Sequence, residues 1–166
     1  MIQMKMSKKK KIHITGSVGS GKTTLAKKLS IELGIPYYEI DNIIFERHLS
    51  GDVRRSDKEI VNILDEIVTG DAWILEGTCT KKWIVRSFAA ADCIILLDIP
   101  YLVRLKRIIF RYLKQIVKLE SANYQPTFSM LIQMFKWNHK FNSVNKIDFY
   151  QLTKNYLDKI IVQTRK

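Results

Sequence analysis

Eight consecutive residues, Gly16-Ser17-Val18-Gly19-Ser20-Gly21-Lys22-Thr23, match the pattern G-x-x-x-x-G-K-[ST] in full. Each residue type in it answers a need of phosphate chemistry. Glycines let successive backbone N–H groups curl around phosphate oxygens with no side chain in the way. The Lys22 ammonium reaches the β- and γ-phosphates, and the Thr23 hydroxyl suits Mg²⁺. Thr24 then continues into a helix whose positive dipole end faces the same anion. A glycine-rich turn without a ligand is the competing explanation. The apolar strand pattern before the loop and the amphipathic pattern after it speak against that turn. Residues 16 to 24 are therefore expected to hold ATP with Mg²⁺.

Three further groups have types suited to the same chemistry. Trp73-Ile74-Leu75-Glu76-Gly77 reads as an apolar strand ending on a carboxylate. Beside the loop, Glu76 would join Thr23 as a metal residue, holding Mg²⁺ through water. A helix-capping or surface glutamate is the alternative. Asp41 ends a second expected strand and faces the same crevice. A carboxylate there can accept a proton from an acceptor hydroxyl or orient it, or it can simply cap the next segment. Arg104, Arg107 and Arg111 step by three and four residues, so they share one helical face. Such a face supplies positive charge to a moving phosphoryl group; a solvated basic face is the other reading.

The elements that must position these groups follow from periodicity. Residues 11–15 alternate and are β-branched, which predicts a strand. Leu25, Leu29 and Leu33 predict a helix over 22–33, stopped by Gly34. A short strand is expected over 37–40. Ser56 and Glu59 form a capping box before a helix that Gly70 closes. Strands over 73–75 and 93–97 flank a shorter helix near 82–88. Pro100 opens a long basic helix reaching about residue 118. Helices over 127–138 and 145–157 and a strand over 159–163 complete the expectation. Strands alternating with helices imply right-handed crossovers and a parallel sheet covered on both faces. Ligands bind at the carboxyl ends of such strands.

The 166 residues, 46% hydrophobic and 27% charged, suit one globular domain and argue against a disordered or fibrous chain. The clean apolar run at 94–97 is far too short to span a membrane. Residues 1–11 are basic without the apolar run of a secretory signal, so a cytoplasmic protein is expected. Cys79 and Cys93 form neither a metal-ligand spacing nor a disulfide framework. They read as a loop thiol and a buried strand residue, and His13 reads as core. The net charge of +12 is concentrated in five lysines within residues 1–11 and six basic residues within 101–118. Local basicity calls for a local anionic partner: nucleic acid, an anionic surface or a polyphosphate. A solvated tail is the plainer explanation of the first run.

Asn145-Lys146-Ile147-Asp148 spells the guanine-reading N-K-x-D. The preceding Phe141-Asn142-Ser143-Val144 is too polar for the buried strand that motif needs, and no aspartate is followed by glycine three residues later. Asn145 is expected to cap a helix instead.

At these residues the chain resembles the P-loop nucleoside and nucleotide kinase superfamily. It is most similar to adenylate-kinase-related proteins called DNA topology modulation (FlaR-like) proteins. The signatures are GSVGSGKTT at 16–24, YYEIDNIIF at 37–45, WILEGT at 73–78 and ADCIILLDIP at 91–100. The resemblance covers about 12–140. It implies an α/β chain: a three-layer α/β/α P-loop NTPase fold with a five-stranded parallel sheet, order 2-3-1-4-5, and a short lid. It also implies that arginines after the D-x-P turn lie on the ATP base and phosphates, which by position are Arg107 and Arg111. Catalytic roles are thus expected of Lys22, Asp41, Arg107 and Arg111. The D-G-F-P-R segment of adenylate kinases is replaced by Glu76-Gly77-Thr78-Cys79-Thr80. Lys81, Lys82 or Arg86 would have to grip an acceptor phosphate, and the short stretches at 41–56 and 120–126 disfavour AMP.

The expected organisation is a basic tail at 1–10 and a single domain at 11–166, with the lid at about 114–126. The expected activity is transfer of the ATP γ-phosphoryl group to a nucleoside, nucleotide or similar small acceptor. The alternatives are an ATP-binding nucleic-acid-associated protein and a nucleotide-binding regulator without turnover. Weak non-specific nucleic-acid binding is assigned to the tail, and no membrane partner is expected.

Overall fold

The structure is a computed structural model that describes residues 9–48, 51–119 and 126–164. In chain order its elements begin with β1 (Lys11–Gly16), α1 (Lys22–Leu33), β2 (Tyr37–Glu39) and α2 (Ile40–Ile44). A small hairpin, β3 (Phe45–Glu46) and β4 (Val53–Arg54), precedes α3 (Asp57–Thr69) and β5 (Trp73–Glu76). A 3₁₀ turn, Lys82–Ile84, leads into α4 (Val85–Ala90), β6 (Cys93–Leu97) and α5 (Tyr101–Ile116). After α6 (Phe128–Lys140) come a π-turn at Phe141–Asn145, α7 (Lys146–Leu152), a 3₁₀ turn at Leu157–Lys159 and β7 (Ile160–Gln163).

β1 lies at the centre of a parallel sheet ordered β2-β5-β1-β6-β7. Counting only these five strands, the order is 2-3-1-4-5, as the resemblance implies. The alternation of buried residues builds a core on each face. Trp73, Leu75, Ile94 and Leu96 face α2, α3 and α4, where Ile40, Ile60, Leu64 and Phe88 meet them. Ile12, Ile14, Ile74 and Ile95 face α1, through Ala26 and Leu29. Both faces being covered, β6 is apolar throughout. A smaller cluster of Ile108, Leu131 and Met134 joins α5 to α6 and takes in Val18 of the phosphate loop.

Local signals set most boundaries. The Ser56 hydroxyl accepts from the Glu59 N–H at 3.3 Å, and the Glu59 carboxylate accepts from the Ser56 N–H at 2.8 Å, completing the capping box. Three expectations change. The second strand stops at Glu39, because Ile40, Ile43 and Ile44 at helical spacing turn the chain into α2. Asp41 therefore sits in the first turn of that helix. Asn145 caps nothing: with φ −63° and ψ −32° it lies inside a helix running from α6 through the π-turn to α7. Burial of Phe141 and Phe149 draws that helix onto the sheet, and the π-turn absorbs one extra residue.

The expected lid at about 114–126 begins inside α5, and residues 120–125 lie outside the described ones. α5 closes with Lys118 at φ 57°, its N–H on the Gln115 carbonyl (3.1 Å) and that of Leu119 on the Lys114 carbonyl (2.8 Å). Residues 1–8 of the expected tail also lie outside the described residues. Residues 9 and 10 are tied down: Asp92 Oδ2 accepts from the N–H groups of Lys10 and Lys11, both at 2.9 Å, and the Lys9 ammonium donates to the Asp92 carbonyl at 2.7 Å. Among the described residues, no helix is long and apolar enough to cross a membrane.

Candidate functional site

The phosphate loop leaves β1 at Gly16 and becomes α1 at Lys22, with the Leu25 N–H on the Gly21 carbonyl at 3.0 Å. Ser17 and Ser20 are buried beneath it, Val18 is half-buried against α5, and Thr24 is exposed on the first turn of α1. Gly19 has φ +73°, and a Cβ on it would stand 2.9 Å from the Arg104 carbonyl oxygen. The backbone of α5 thus rests directly on the loop, and only glycine fits at that contact.

Lys22 and Thr23 turn toward the ends of β2 and β5. The Lys22 ammonium donates to the Ser17 carbonyl at 3.1 Å. Burial lowers its pKa, the Glu76 and Asp41 carboxylates oppose that, and Arg111 adds to it. The Thr23 hydroxyl donates to Glu76 Oε1 at 2.6 Å. Glu76 is 4% exposed, and burial raises its pKa against the pull of Lys22 and Thr23. The sheet register sets Glu39 opposite Glu76, and its charge also raises the Glu76 pKa. Asp41 follows, exposed at the start of α2. The structure thus brings Glu76, Asp41 and Arg111 within electrostatic reach of Lys22 and bonds Thr23 to Glu76.

Oxygen donors of this kind, one hydroxyl and one carboxylate, suit Mg²⁺ shared with substrate phosphates. Among the described residues, no group of three or more His, Cys, Asp or Glu converges as a self-contained cation cage.

The three arginines do not act as one face. Arg107 Nη1 donates to the carbonyls of Ser20 (3.2 Å) and Gly19 (3.5 Å), so it grips the loop itself. Arg111 Nη2 meets Met134 Sδ at 3.6 Å while its charge is felt at Lys22. Arg104 turns away from the crevice. It is 1% exposed, and its Nη2 donates to Asn142 Oδ1 at 2.7 Å. A solvated basic face is therefore wrong for Arg104, because the turn holding it packs against the π-turn. Arg86 is taken as well, both carboxylate oxygens of Asp65 accepting from it at 3.0 Å. Lys81 and Lys82 are exposed. The lysine of the N-K-x-D string, Lys146, donates to Asp98 at 2.6 Å.

Several residues at or beside the site escaped the sequence reading. Glu39, the last residue of β2, had a signal: a carboxylate at a strand end. The Thr78 hydroxyl donates to the Gly16 carbonyl and ties the end of β5 to the loop. Asn138 Oδ1 accepts from the Ser17 hydroxyl at 3.3 Å, a contact between residues 121 positions apart that no local pattern announces. His13 is buried as expected, bonded to the Ser87 hydroxyl at 2.9 Å, and burial lowers its pKa to about 3. Burial raises both thiol pKa values, that of Cys93 to about 11.

The layers, strand order and loop together define a three-layer phosphate-loop α/β protein. No family model matches the chain, and no curated protein matches it. Among solved structures it is similar to a shikimate kinase from Acinetobacter baumannii in complex with shikimate, with TM-score 0.59 and 18% identity over 98% of this chain and 88% of that one. A shikimate kinase from Bacteroides thetaiotaomicron gives TM-score 0.50 and 17% identity over 81% of each chain. An uncharacterized protein from Eubacterium ventriosum gives TM-score 0.50 and 15% identity over 92% of this chain and 87% of that one. The likeness is one of fold.

Proposed function

We propose that this protein is an ATP-dependent phosphotransferase that moves the γ-phosphoryl group to a small acceptor. The observation carrying this reading is the Thr23–Glu76 contact at 2.6 Å, with Lys22 and Asp41 in its electrostatic field. Phosphoryl transfer needs a phosphate cradle, a metal ligand pair and an acceptor-orienting base, and these residues supply one of each. Thr23 and Glu76 would hold Mg²⁺, which when bound neutralises charge on the phosphates. Lys22 balances the γ-phosphoryl oxygens, and Arg107 and Arg111 approach the nucleotide from α5. Asp41, exposed at the crevice, takes the acceptor hydroxyl proton as the new P–O bond forms and ADP leaves. The fold likeness to a kinase solved with shikimate supports a small-molecule acceptor.

The test is an ATP-consumption screen against nucleosides, nucleotides and small hydroxylated metabolites, followed by Asp41→Asn on the acceptor found. Losing a proton acceptor lowers turnover by about 10²–10⁴-fold and leaves ATP affinity nearly unchanged. Collapse of ATP affinity with single-turnover chemistry intact would show that Asp41 serves the nucleotide instead. A second reading, nucleic-acid association, draws on the exposed lysines Lys106 and Lys114 of α5 and Lys118 just past its end. Duplex DNA therefore belongs in the same screen.

A further inference from the structure

A surface helix of a globular protein turns its apolar stripe to the core and its charged side to water. α5 does the reverse. Its buried residues are Arg104, Ile108 and Gln115, and Arg107 reaches the loop carbonyls from the adjoining flank. At about 100° per residue, Leu102, Ile109, Leu113 and Ile116 fall on the opposite side. All four are exposed, Leu102 at 66% and Leu113 at 51%. Phe110, 64% exposed, and Val117 widen the stripe on one side. An apolar face of this length, bare in water, marks a surface that a partner covers.

The charge beside the stripe selects that partner. Residues 101–119 hold six basic side chains and no acidic one. An open groove of about 360 Å³ lies along the flank of the helix, lined by Val103, Lys106, Arg107, Phe110, Arg111 and Lys114. Its lining therefore carries four cations and an aromatic ring, with no carboxylate. Among the described residues, Lys106, Lys114 and Lys118 have no ion-pair partner. A second copy of the chain would set these lysines against themselves, and like charges brought together oppose association. Duplex DNA would meet the lysines and leave the apolar stripe in water. A bilayer surface with anionic lipids answers both, offering headgroups to the cations and hydrocarbon to the stripe.

We propose that the outer face of α5 docks on an anionic membrane surface. Leu102, Ile109, Leu113 and Ile116 enter the acyl boundary, and Lys106 and Lys114 reach the headgroups. The expectation of no membrane partner rested on the lack of a spanning run, and an interfacial helix needs none. Docking of this kind does not depend on the kinase reading.

Co-sedimentation of the full chain with vesicles tests it, comparing phosphatidylcholine alone with phosphatidylcholine mixed with phosphatidylserine. The protein should bind the mixed vesicles and stay mostly in solution with the neutral ones. Ile109→Gln combined with Leu113→Gln keeps every charge and should weaken binding by about tenfold or more. Lys106→Gln combined with Lys114→Gln should weaken it by about thirtyfold. All four side chains are exposed, so thermal unfolding of both variants should match that of the unaltered chain. Absence of binding to the mixed vesicles overturns the proposal. Undiminished binding by the Ile109→Gln, Leu113→Gln variant also overturns it, because charge alone would then hold the protein there. So does a dimer in light scattering, or binding to duplex DNA, that this variant abolishes while vesicles go unbound.

Discussion

Replacing Gly19 by alanine should separate backbone strain from steric contact, because a second glycine provides the control. Gly34 ends α1 at φ +65° with its N–H on the Ser30 carbonyl, and an added Cβ there meets nothing within 4 Å. Gly34→Ala therefore carries only the left-handed cost, about 1–2 kcal/mol. Gly19→Ala carries the same cost plus a Cβ at 2.9 Å from the Arg104 carbonyl and 3.1 Å from Ile108 Cγ1. The isoleucine can give; the carbonyl belongs to a helix and cannot without moving α5. Overpacking of this kind adds about 1–3 kcal/mol, for a total of about 2–5 kcal/mol. Urea denaturation of both variants measures the difference, and calorimetric titration with ATP–Mg²⁺ measures its functional side. ATP affinity should fall in Gly19→Ala and hold in Gly34→Ala. Equal destabilisation by the two changes would refute the close packing of α5 on the loop.

Other outcomes follow from the same contacts. Lys22→Ala should lower ATP–Mg²⁺ affinity by tenfold or more, on the order of 1.4 kcal/mol, with an unchanged circular dichroism spectrum; unaltered affinity in a calorimetric titration would count against the phosphate-loop assignment. His13, held near a pKa of 3 in the fold against 6.5 unfolded, binds fewer protons when native. Its contribution is complete above about pH 6.5 and falls as pH drops toward 3, losing about 3 kcal/mol by pH 4.5. Urea midpoints at pH 7 and 4.5 should diverge less in His13→Val, and an unchanged pH slope would reject the role. Arg107→Ala and Arg111→Ala should depress turnover, while duplex DNA binds weakly, loses affinity steeply with salt and depends on residues 1–9. Weakened DNA binding with turnover spared would reverse the assignment of the arginines.

Much of the fold was legible because its signals are local. The loop announces itself in contiguous residues, and α1 and α3 in their apolar periodicity and end residues. The apolar runs of β5 and β6 report burial on both faces. Helix ends were less legible where apolar spacing permits two readings. Ile40 could close a strand or open a helix, and its burial in the core that includes Ile60 and Trp73 goes with the helix. Asn145 resembles a cap by type alone, yet the burial of Phe141 carries the helix through it.

What the sequence by itself determined is the chemistry of the loop and the alternation of strands and helices, since both depend on residues adjacent or a few positions apart. Which arginine serves which purpose was decided only in three dimensions. Arg104, Arg107 and Arg111 are equivalent by spacing. The tertiary structure seals the first beneath the π-turn, sets the second on the loop carbonyls and leaves the third within reach of Lys22. Likewise, Glu39 stands beside Glu76 only because two strands 37 residues apart pair in that register. Charge and hydrogen-bonding capacity are properties of a residue; the partner that gives them a role is chosen by packing between distant segments.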